Sequence, residues 1–375
     1  MKSVKILHCA DLHFDTPFAE LSHIQAEKRK EDLKETFSKM IALAKEENVR
    51  LFLISGDLFD NDRVRKSTLE YLVKKFQEIP DIHVFISPGN HDPYHAKSFY
   101  QIVQWPENVH IFKGGIEKIC PEEGLCVYGA AFSQAYQRSS LFKNFCVEDP
   151  NQVNLMVLHG DVVSAGQQSA YNPIAAEAIR KSGLDYLALG HRHKHSGIEK
   201  EGDTFWSYSG NPEGRGFDET GPRGILIGEV GKGGCDLEFR EICKRKYFEE
   251  EIDISSARTY EEVIRAIRER LSDHQTDENL YKIRLTGEVE AGFCIYPKIL
   301  EDNLSKDFFF IKIRDFTRVK ADYRALAETV SLKGIFAREM LKKIEKEAEE
   351  EKKEVLKEAL KAGIQALDGR EGYIE

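Results

Sequence analysis

The sequence predicts an α/β protein in three parts: a layered sheet domain, a smaller α+β domain and a C-terminal helix. Three observations support this prediction. Short apolar runs alternate with segments of helical periodicity up to Gly190, strand-like segments separated by glycine-rich turns follow Thr204, and a long, highly charged helical pattern comes last. Strands that alternate with helices are typical of parallel sheets with right-handed crossovers, and therefore of a layered α/β domain.

Five apolar runs are predicted to be buried strands, because each is short, rich in β-branched or aromatic residues and bounded by polar residues or glycine. They are Val4–Leu7, Val49–Ile54, Ile82–Ile86, Val153–Leu158 and Tyr186–Leu189. Between the first three runs lie two stripes of helical period. Their apolar residues are Leu33, Phe37, Met40, Ile41 and Ala44 in the first stripe, and Leu69, Leu72, Val73 and Phe76 in the second.

The pattern changes twice in the second half of the chain. From Thr204 to Ile242 it predicts that the sheet ends in antiparallel strands. Two alternating segments, Tyr281–Leu285 and Phe308–Ile313, then indicate a small α+β domain. A charged helix is expected from Ile335 to about Leu367. The expected domains are residues 1–243, 244–330 and 331–375.

The composition excludes several classes of protein. With 41% hydrophobic and 31% charged residues, the chain has enough apolar material for packed cores and does not resemble a disordered chain. No apolar run reaches about 18 residues and no signal peptide is recognisable, so we expect a cytoplasmic protein without a membrane span. The seven cysteines are scattered and form no C-x-x-C pair, which predicts free thiols in a reducing compartment.

The formal net charge of −10 argues against nucleic-acid binding through the field of the whole protein. The charge is −7 up to Cys243 and −3 beyond it, so neither part is a basic arm. Any DNA binding must use a local patch or bound cations. One candidate patch is a basic tract that ordinary charges on a solvated strand and turn would explain as well. It consists of Lys312, Arg314, Arg318, Lys320 and Arg324.

Polar residues follow all five predicted strands. In chain order they are Asp11 and His13, then Asp57 and Asp60, then Asn90, His91 and Asp92, then His159, and finally His191 and His193. In open α/β sheets, ligands bind beyond the carboxyl ends of the strands, so these side chains are expected to converge.

The chemistry of this set fits a pair of divalent metal ions. Carboxylate, amide and imidazole groups without thiolate suit manganese, iron, magnesium or zinc. Seven ligand side chains are too many for one tetrahedral ion, whereas two ions that share a bridging carboxylate use them naturally. Two ions roughly 3.5–4 Å apart can polarise a phosphoryl oxygen and activate water, which is the chemistry of phosphate ester hydrolysis.

The motifs D-x-H, G-D-x-x-D, G-N-H-D, G-H and G-H-x-H, in this order from Asp11 to His193, resemble the calcineurin-like metallophosphoesterase superfamily. The glycine-rich tract from Ser209 to Gly224 is similar to the SbcD branch of DNA repair exonucleases, particularly its YhaO-type bacterial members. The resemblance implies a four-layer β-sandwich flanked by helices, with the smaller domain as a cap. It also implies two divalent ions, with manganese the leading expectation.

The resemblance also implies individual roles. One metal would be held by Asp11, His13 and His193, the other by Asn90, His159 and His191, and Asp57 would bridge them. His91 would face the scissile phosphate, donating to the leaving oxygen or stabilising the transition state, and Asp92 would orient its ring.

Two further positions carry predictions. The nuclease branch often has histidine at the last position of G-D-x-x-H, where this chain has Asp60. An acid at this place would stand behind the metal ligands and alter metal preference or rate. Arg215, in the glycine-rich tract, is a candidate substrate contact, and a role as a turn residue is equally compatible with its position.

The leading hypothesis is a metal-dependent DNA exonuclease or endonuclease subunit. The resemblance implies that its C-terminal helix docks on an SMC-like coiled-coil ABC ATPase, and that the chain forms a homodimer. One alternative is a phosphoesterase for a small nucleotide or a lipid-linked diphosphate. Another is a weakly active scaffold subunit.

Overall fold

A computed structural model describes residues 3–61, 63–164, 166–290 and 292–367. Its strands are β1 (Ser3–Cys9), β2 (Leu51–Ile54), β3 (His83–Ile86), β4 (Val109–Ile111), β5 (Glu117–Glu122), β6 (Leu125–Gly129), β7 (Val153–His159), β8 (Val162–Val163), β9 (Ile174–Ala175), β10 (Tyr186–Gly190), β11 (Glu199–Glu201), β12 (Thr204–Tyr208), β13 (Gly224–Gly231), β14 (Gly234–Glu241), β15 (Tyr247–Asp253), β16 (Leu280–Thr286), β17 (Glu288–Val289), β18 (Phe310–Asp315) and β19 (Arg318–Val319). Its helices are α1 (His23–Glu46), α2 (Lys66–Gln77), α3 (Phe99–Ile102), α4 (Ala176–Ser182), α5 (Tyr260–Arg270), α6 (Pro297–Leu304), α7 (Tyr323–Ala327), α8 (Leu332–Lys346) and α9 (Glu350–Leu367).

The chain divides into two compact units. The first comprises Met1–Glu249, Gln275–Lys282 and Lys306–Ile311, and the second comprises Glu250–His274, Ile283–Ser305 and Lys312–Glu375. The three domains expected at residues 1–243, 244–330 and 331–375 stay a prediction, and residues 368–375 of the last lie outside the described part of the chain.

Two six-stranded sheets form the first unit. One has the order β14-β13-β1-β2-β3-β4 and the other β11-β12-β10-β7-β6-β5. Strands β1 to β4 pair in parallel, as do β6, β7, β10 and β12. Strand β13 is antiparallel to both β1 and β14. The antiparallel end predicted after Thr204 is therefore confirmed for β13 and β14. Strand β12 is parallel to β10 and antiparallel to the edge strand β11.

The sheets and helices make four layers. Alternate residues of β2 point to opposite sides: Leu53 joins a cluster with Leu155 of the other sheet, while Phe52 packs with Phe37 of α1. On the outer face of the second sheet, Ile179 of α4 packs in a third cluster. Because both faces of each sheet are covered, its central strands are apolar throughout. The predicted α/β fold class is confirmed.

The remaining strands form a three-stranded sheet of order β15-β16-β18 and two pairs, β8 with β9 and β17 with β19. The single C-terminal helix predicted from Ile335 to about Leu367 is wrong, because α8 and α9 are separate helices. Helix α8 ends at this point because the backbone becomes extended at Glu347, where ψ is 131°. The apolar sides of the two helices, including Ile344 and Leu360, are then buried in one cluster.

The prediction of free cysteines is wrong at two positions. Cys120 of β5 and Cys126 of β6 are joined by a disulfide, since the antiparallel hairpin brings their Cα atoms within 4.1 Å. Cys9, Cys146 and three others are free. In the described part of the chain, no helix is both long enough and apolar enough to span a membrane.

Candidate metal centre

The polar side chains that follow β1, β2, β3, β7 and β10 lie in one cluster. Asn90 Oδ1, after β3, lies 2.9 Å from His159 Nε2 and 3.1 Å from His191 Nδ1. The backbone N–H of His191 in turn donates to both carboxylate oxygens of Asp11, at 3.1 Å each. The strand ends of the two sheets therefore meet, as the sequence pattern predicted.

The first potential metal-binding group consists of Asp11, His13 and His193, whose ligand atoms lie within 4.8 Å of one another. His13 Nε2 and His193 Nε2 are 3.3 Å apart. The side chains of Asp11 and His13 are buried. Two imidazole nitrogens and a carboxylate that face the same point suit a divalent transition metal ion.

The second group contains Asn90, His159 and His191, together with Asp57. Asp57 Oδ2 lies 3.4 Å from His159 Nε2 and 3.7 Å from His13 Nε2. Asp57 therefore lies between the two groups. The seven side chains predicted as metal ligands are all brought together, and the carboxylate of Asp57 lies near one histidine of each group.

The backbone is strained where it presents these side chains. Asp11, His13 and Asp57 have φ angles of 54°, 49° and 50°, in the left-handed region, and His191 has φ 102°. Such conformations cost about 1–3 kcal/mol each and persist only where the surroundings enforce them. Two hydrogen bonds do so here, from Asp11 N to the Gly56 carbonyl at 3.0 Å and from His13 N to the Asp57 carbonyl at 2.9 Å.

Each of the four histidines has one ring nitrogen turned towards the cluster and an oxygen near the other. His159 and His193 are hydrogen-bonded to that oxygen, whereas His13 Nδ1 has no hydrogen-bond partner among the described residues and Asp161 lies beyond hydrogen-bond distance of His191. The outer partners are Asp60 for His13 (3.2 Å), the Ser55 carbonyl for His159 (2.9 Å), Asp161 for His191 (3.6 Å) and Glu219 for His193 (2.5 Å). Such partners fix the tautomer and orientation of metal-binding imidazoles. Asp60 was predicted to stand behind the ligands, whereas Ser55, Asp161 and Glu219 were missed.

A family model described as calcineurin-like phosphoesterase matches residues 4–195, which include all seven of these positions. The chain belongs to the calcineurin-like phosphoesterase family. It is therefore a hydrolase of phosphoesters, and the cluster described above is its candidate metal centre.

This phosphoesterase is similar to two named relatives and to one solved structure. It is 30% identical over 284 residues to the uncharacterised metallophosphoesterase YhaO of Bacillus subtilis, covering 72% of this chain and 68% of YhaO. It is 24% identical over 315 residues to the DNA double-strand break repair protein Mre11 of Saccharolobus solfataricus, covering 80% of each chain. The crystal structure of TT1561 of Thermus thermophilus aligns with a TM-score of 0.39 and 12% identity, over 64% of this chain and 99% of that one.

The electrostatics of the phosphoesterase site favour a charged Asp57. Burial alone would raise the pKa of Asp57, but the imidazoles around it, His159 foremost and His13 next, lower it to about 2. Burial and the nearby His159 lower the pKa of His191 to about 4. A carboxylate that stays ionised beside an imidazole that stays neutral is a suitable pair of ligands for a cation.

The pKa of His159 shifts in the opposite direction from that of His191. Burial opposes its charged form, yet Asp57 and Asp11 raise the pKa of its ring above the usual value. Both ring nitrogens face oxygen acceptors, Nδ1 the Ser55 carbonyl and Nε2 the Asn90 amide. A metal ion at this place must therefore displace the proton from Nε2, and binding should weaken in acid.

The structure corrects the role expected of Asp92. Its oxygens accept hydrogen bonds from Gly89 N at 2.7 Å, Phe59 N at 3.1 Å and the Tyr100 hydroxyl at 2.6 Å, so it braces the loops around β2 and β3. The partner of His91 is a backbone carbonyl: Nδ1 donates to Asp60 O at 2.9 Å. Asp92 is buried and does not orient the His91 ring.

Arg215 pairs with acidic groups behind the ligands. Its guanidinium lies 3.1 Å from Asp60 Oδ1 and 3.6 Å from Glu219 Oε1. It thereby offsets the charge of the two carboxylates that hold His13 and His193. Its side chain remains 24% exposed, and contact with substrate stays a prediction.

Proposed function

We propose that the chain hydrolyses phosphodiester bonds in DNA with two divalent ions, of which manganese is the leading candidate. The position of Asp57 between two groups of ligand atoms carries this proposal. Asp11, His13 and His193 would hold one ion, Asn90, His159 and His191 the other, and Asp57 would bridge them. When bound, the ions supply a nucleophilic hydroxide and neutralise charge on the phosphate.

His91 is the residue that we expect to act on the substrate. Because the Asp60 carbonyl can only accept, Nδ1 of His91 carries a proton and Nε2 is the nitrogen left for the phosphate. His91 is exposed, unlike the buried His13 and His159. With Nε2 protonated as well, the His91 imidazolium would donate that proton to the leaving oxygen or stabilise charge on the phosphate.

The choice of DNA rests on the relatives. Several named for DNA double-strand break repair share 24–26% identity with most of this chain. A DNA substrate also needs cationic contacts in a chain of net charge −10. Bound divalent ions and the tract from Lys312 to Arg324, in which Arg314, Arg318 and Lys320 are exposed, would supply them.

An SMC-like ATPase is the proposed partner, and a homodimer is compatible with the same resemblance. Helices α8 and α9 bury one side against each other and expose apolar side chains on another, including Ile335 and Val355. Exposed apolar groups on a helix pair suit docking on a coiled coil. Replacing Ile335 by Glu should abolish co-purification with the ATPase while hydrolysis of a small diester continues.

Two substrates separate the candidate functions. The purified chain is supplied with Mn²⁺ and tested on labelled duplex DNA and on bis(p-nitrophenyl) phosphate. We expect both to be hydrolysed, and DNA binding to weaken steeply between 50 and 200 mM salt. Hydrolysis of the small diester alone would favour a nucleotide or lipid-linked diphosphate substrate. Hydrolysis of neither, with metal bound, would favour the scaffold role.

A further inference from the structure

The glycine-rich tract between β12 and β13 contains no helix or strand, yet it supplies Arg215 and Glu219 to the metal centre. Irregular segments of this length keep one shape only where specific contacts impose it. The contacts that fix this tract therefore decide whether Glu219 can reach His193.

Glu213 connects the tract to helix α1. Its buried carboxylate accepts hydrogen bonds from Arg29 Nη2 at 2.8 Å, from Thr36 Oγ1 at 2.6 Å and from the backbone N–H of Lys244. Arg29 is fully buried and also donates to the Gly214 carbonyl at 2.9 Å. Helix α1 thus holds two successive residues of the tract.

Arg29 is itself fixed within a buried ion network, formed by Arg29, Asp32, Glu213 and Arg245. Asp32 Oδ2 lies 3.1 Å from Arg29 Nη1 and 2.7 Å from Arg245 Nε. Arg29 Nε and Asp32 Oδ1 have no hydrogen-bond partner among the described residues. Buried ion networks of this kind seldom stabilise a fold more than apolar residues would, and a better attested use is the selection of one geometry.

Within the tract, the carboxylate of Glu219 closes a turn. Its Oε2 accepts from Asn211 Nδ2 at 2.6 Å and from Arg215 N at 2.8 Å, which leaves Oε1 to His193 Nδ1 at 2.5 Å. Arg215 follows Gly214 directly. A shift of the residues held by Arg29 would therefore move the Arg215 N–H, the donor that holds the Glu219 carboxylate in position to reach His193.

We propose that Glu213, held by Arg29, is a positioning residue for the metal centre, setting the turn from Arg215 to Glu219 and through it the orientation of His193. The proposal depends on the proposed function only in that His193 is a metal ligand. Glu213 is assigned no contact with substrate or metal; it acts through the backbone of Gly214 and Arg215 and the side chain of Glu219.

The test is Glu213→Gln in the full chain, which keeps the shape of the side chain and removes its charge. Mn²⁺ alone is titrated into the purified protein by calorimetry. Loss of an outer partner of a ligand typically weakens metal affinity about 10–100-fold. Because Glu213 acts on that partner indirectly, we expect a weakening of about 10-fold, the lower end of this range, for the ion held with His193.

Asp185→Asn is the matched control. Asp185 is a buried carboxylate that accepts from Asn154 N at 2.8 Å and pairs with Lys232 Nζ at 3.0 Å. It precedes β10, whereas His191 follows that strand, so it lies at the opposite end. This variant should lose stability and retain Mn²⁺ affinity. Equal Mn²⁺ affinity in Glu213→Gln and the wild type, or an equal loss in both variants, would overturn the proposal.

Two further measurements keep the proposal testable. If Glu213→Gln does not fold, Thr36→Val removes one hydrogen bond to the same carboxylate and should weaken Mn²⁺ binding less, in the same direction; unchanged binding counts against the proposal. Nitrogen-15 spectra of the metal-free protein report the His193 tautomer. If the wild type binds no Mn²⁺, the proposed function fails, but the positioning role can still be tested by these spectra. A change of the His193 tautomer confined to Glu213→Gln would support the positioning role, and an unchanged spectrum would refute it.

Discussion

Gly89 lies against the carboxylate proposed to bridge the two ions. A Cβ at Gly89 would sit 2.3 Å from Asp57 Oδ1 and 2.8 Å from Asp57 N, closer than such contacts occur in proteins. The Asp57 carboxylate must then move by about 1 Å, and a displacement of this size can cost about 10²-fold in rate. For Gly89→Ala we expect turnover to fall by about that factor and Mn²⁺ affinity to weaken about 10–100-fold.

Gly115→Ala is the matched control, because the same methyl group there meets no atom within 4 Å. Both variants are assayed by calorimetric Mn²⁺ titration and by hydrolysis of bis(p-nitrophenyl) phosphate, with thermal unfolding to follow stability. Overpacking at Gly89 should also destabilise the fold by about 1–3 kcal/mol. If Gly89→Ala and Gly115→Ala bind Mn²⁺ equally well and turn over at the same rate, the described contact between Gly89 and Asp57 is wrong.

Two other predictions concern histidines. His91→Ala should keep its metal content and lose about 10²–10⁴-fold in turnover, measured by metal analysis and DNA hydrolysis; unchanged turnover would remove His91 from the mechanism. Burial between the sheets lowers the pKa of His8 to about 3, so the unfolded chain binds the proton more readily and stability falls as the pH drops from about 6.5 towards 3. Between pH 7 and 5.5, the difference in unfolding free energy between wild type and His8→Gln should shrink by about 1 kcal/mol; a constant difference would contradict this assignment.

The main features of the site could be predicted from the sequence because strand ends and ligand types are local signals. Asp11, Asp57 and Asn90 each lie three or four residues after the end of an apolar run, and the parallel pairing of those runs forces them to one edge. Helices α1 and α2 could also be predicted from the sequence, because the apolar stripe of each packs on a single sheet face and so repeats with the helical period.

Features set by tertiary contacts could not be predicted in this way. Glu219 and Asp161 reach His193 and His191 from irregular segments, where no periodic pattern indicates the direction of a side chain. Asp92 was assigned to its neighbour His91, but its partners are the backbone N–H groups of Phe59 and Gly89 and the hydroxyl group of Tyr100. The break at Glu347 was missed, because charged residues on both sides continue the helical pattern.

The metal stoichiometry of the wild type and of Asp57→Asn tests the central claim most directly. Both proteins are loaded with Mn²⁺, freed of excess metal and measured by elemental analysis, with circular dichroism to verify folding. The account predicts two ions per wild-type chain and a marked loss of both in the variant, since Asp57 lies within reach of both ligand groups. A single ion per wild-type chain, or two ions retained by folded Asp57→Asn, would contradict it.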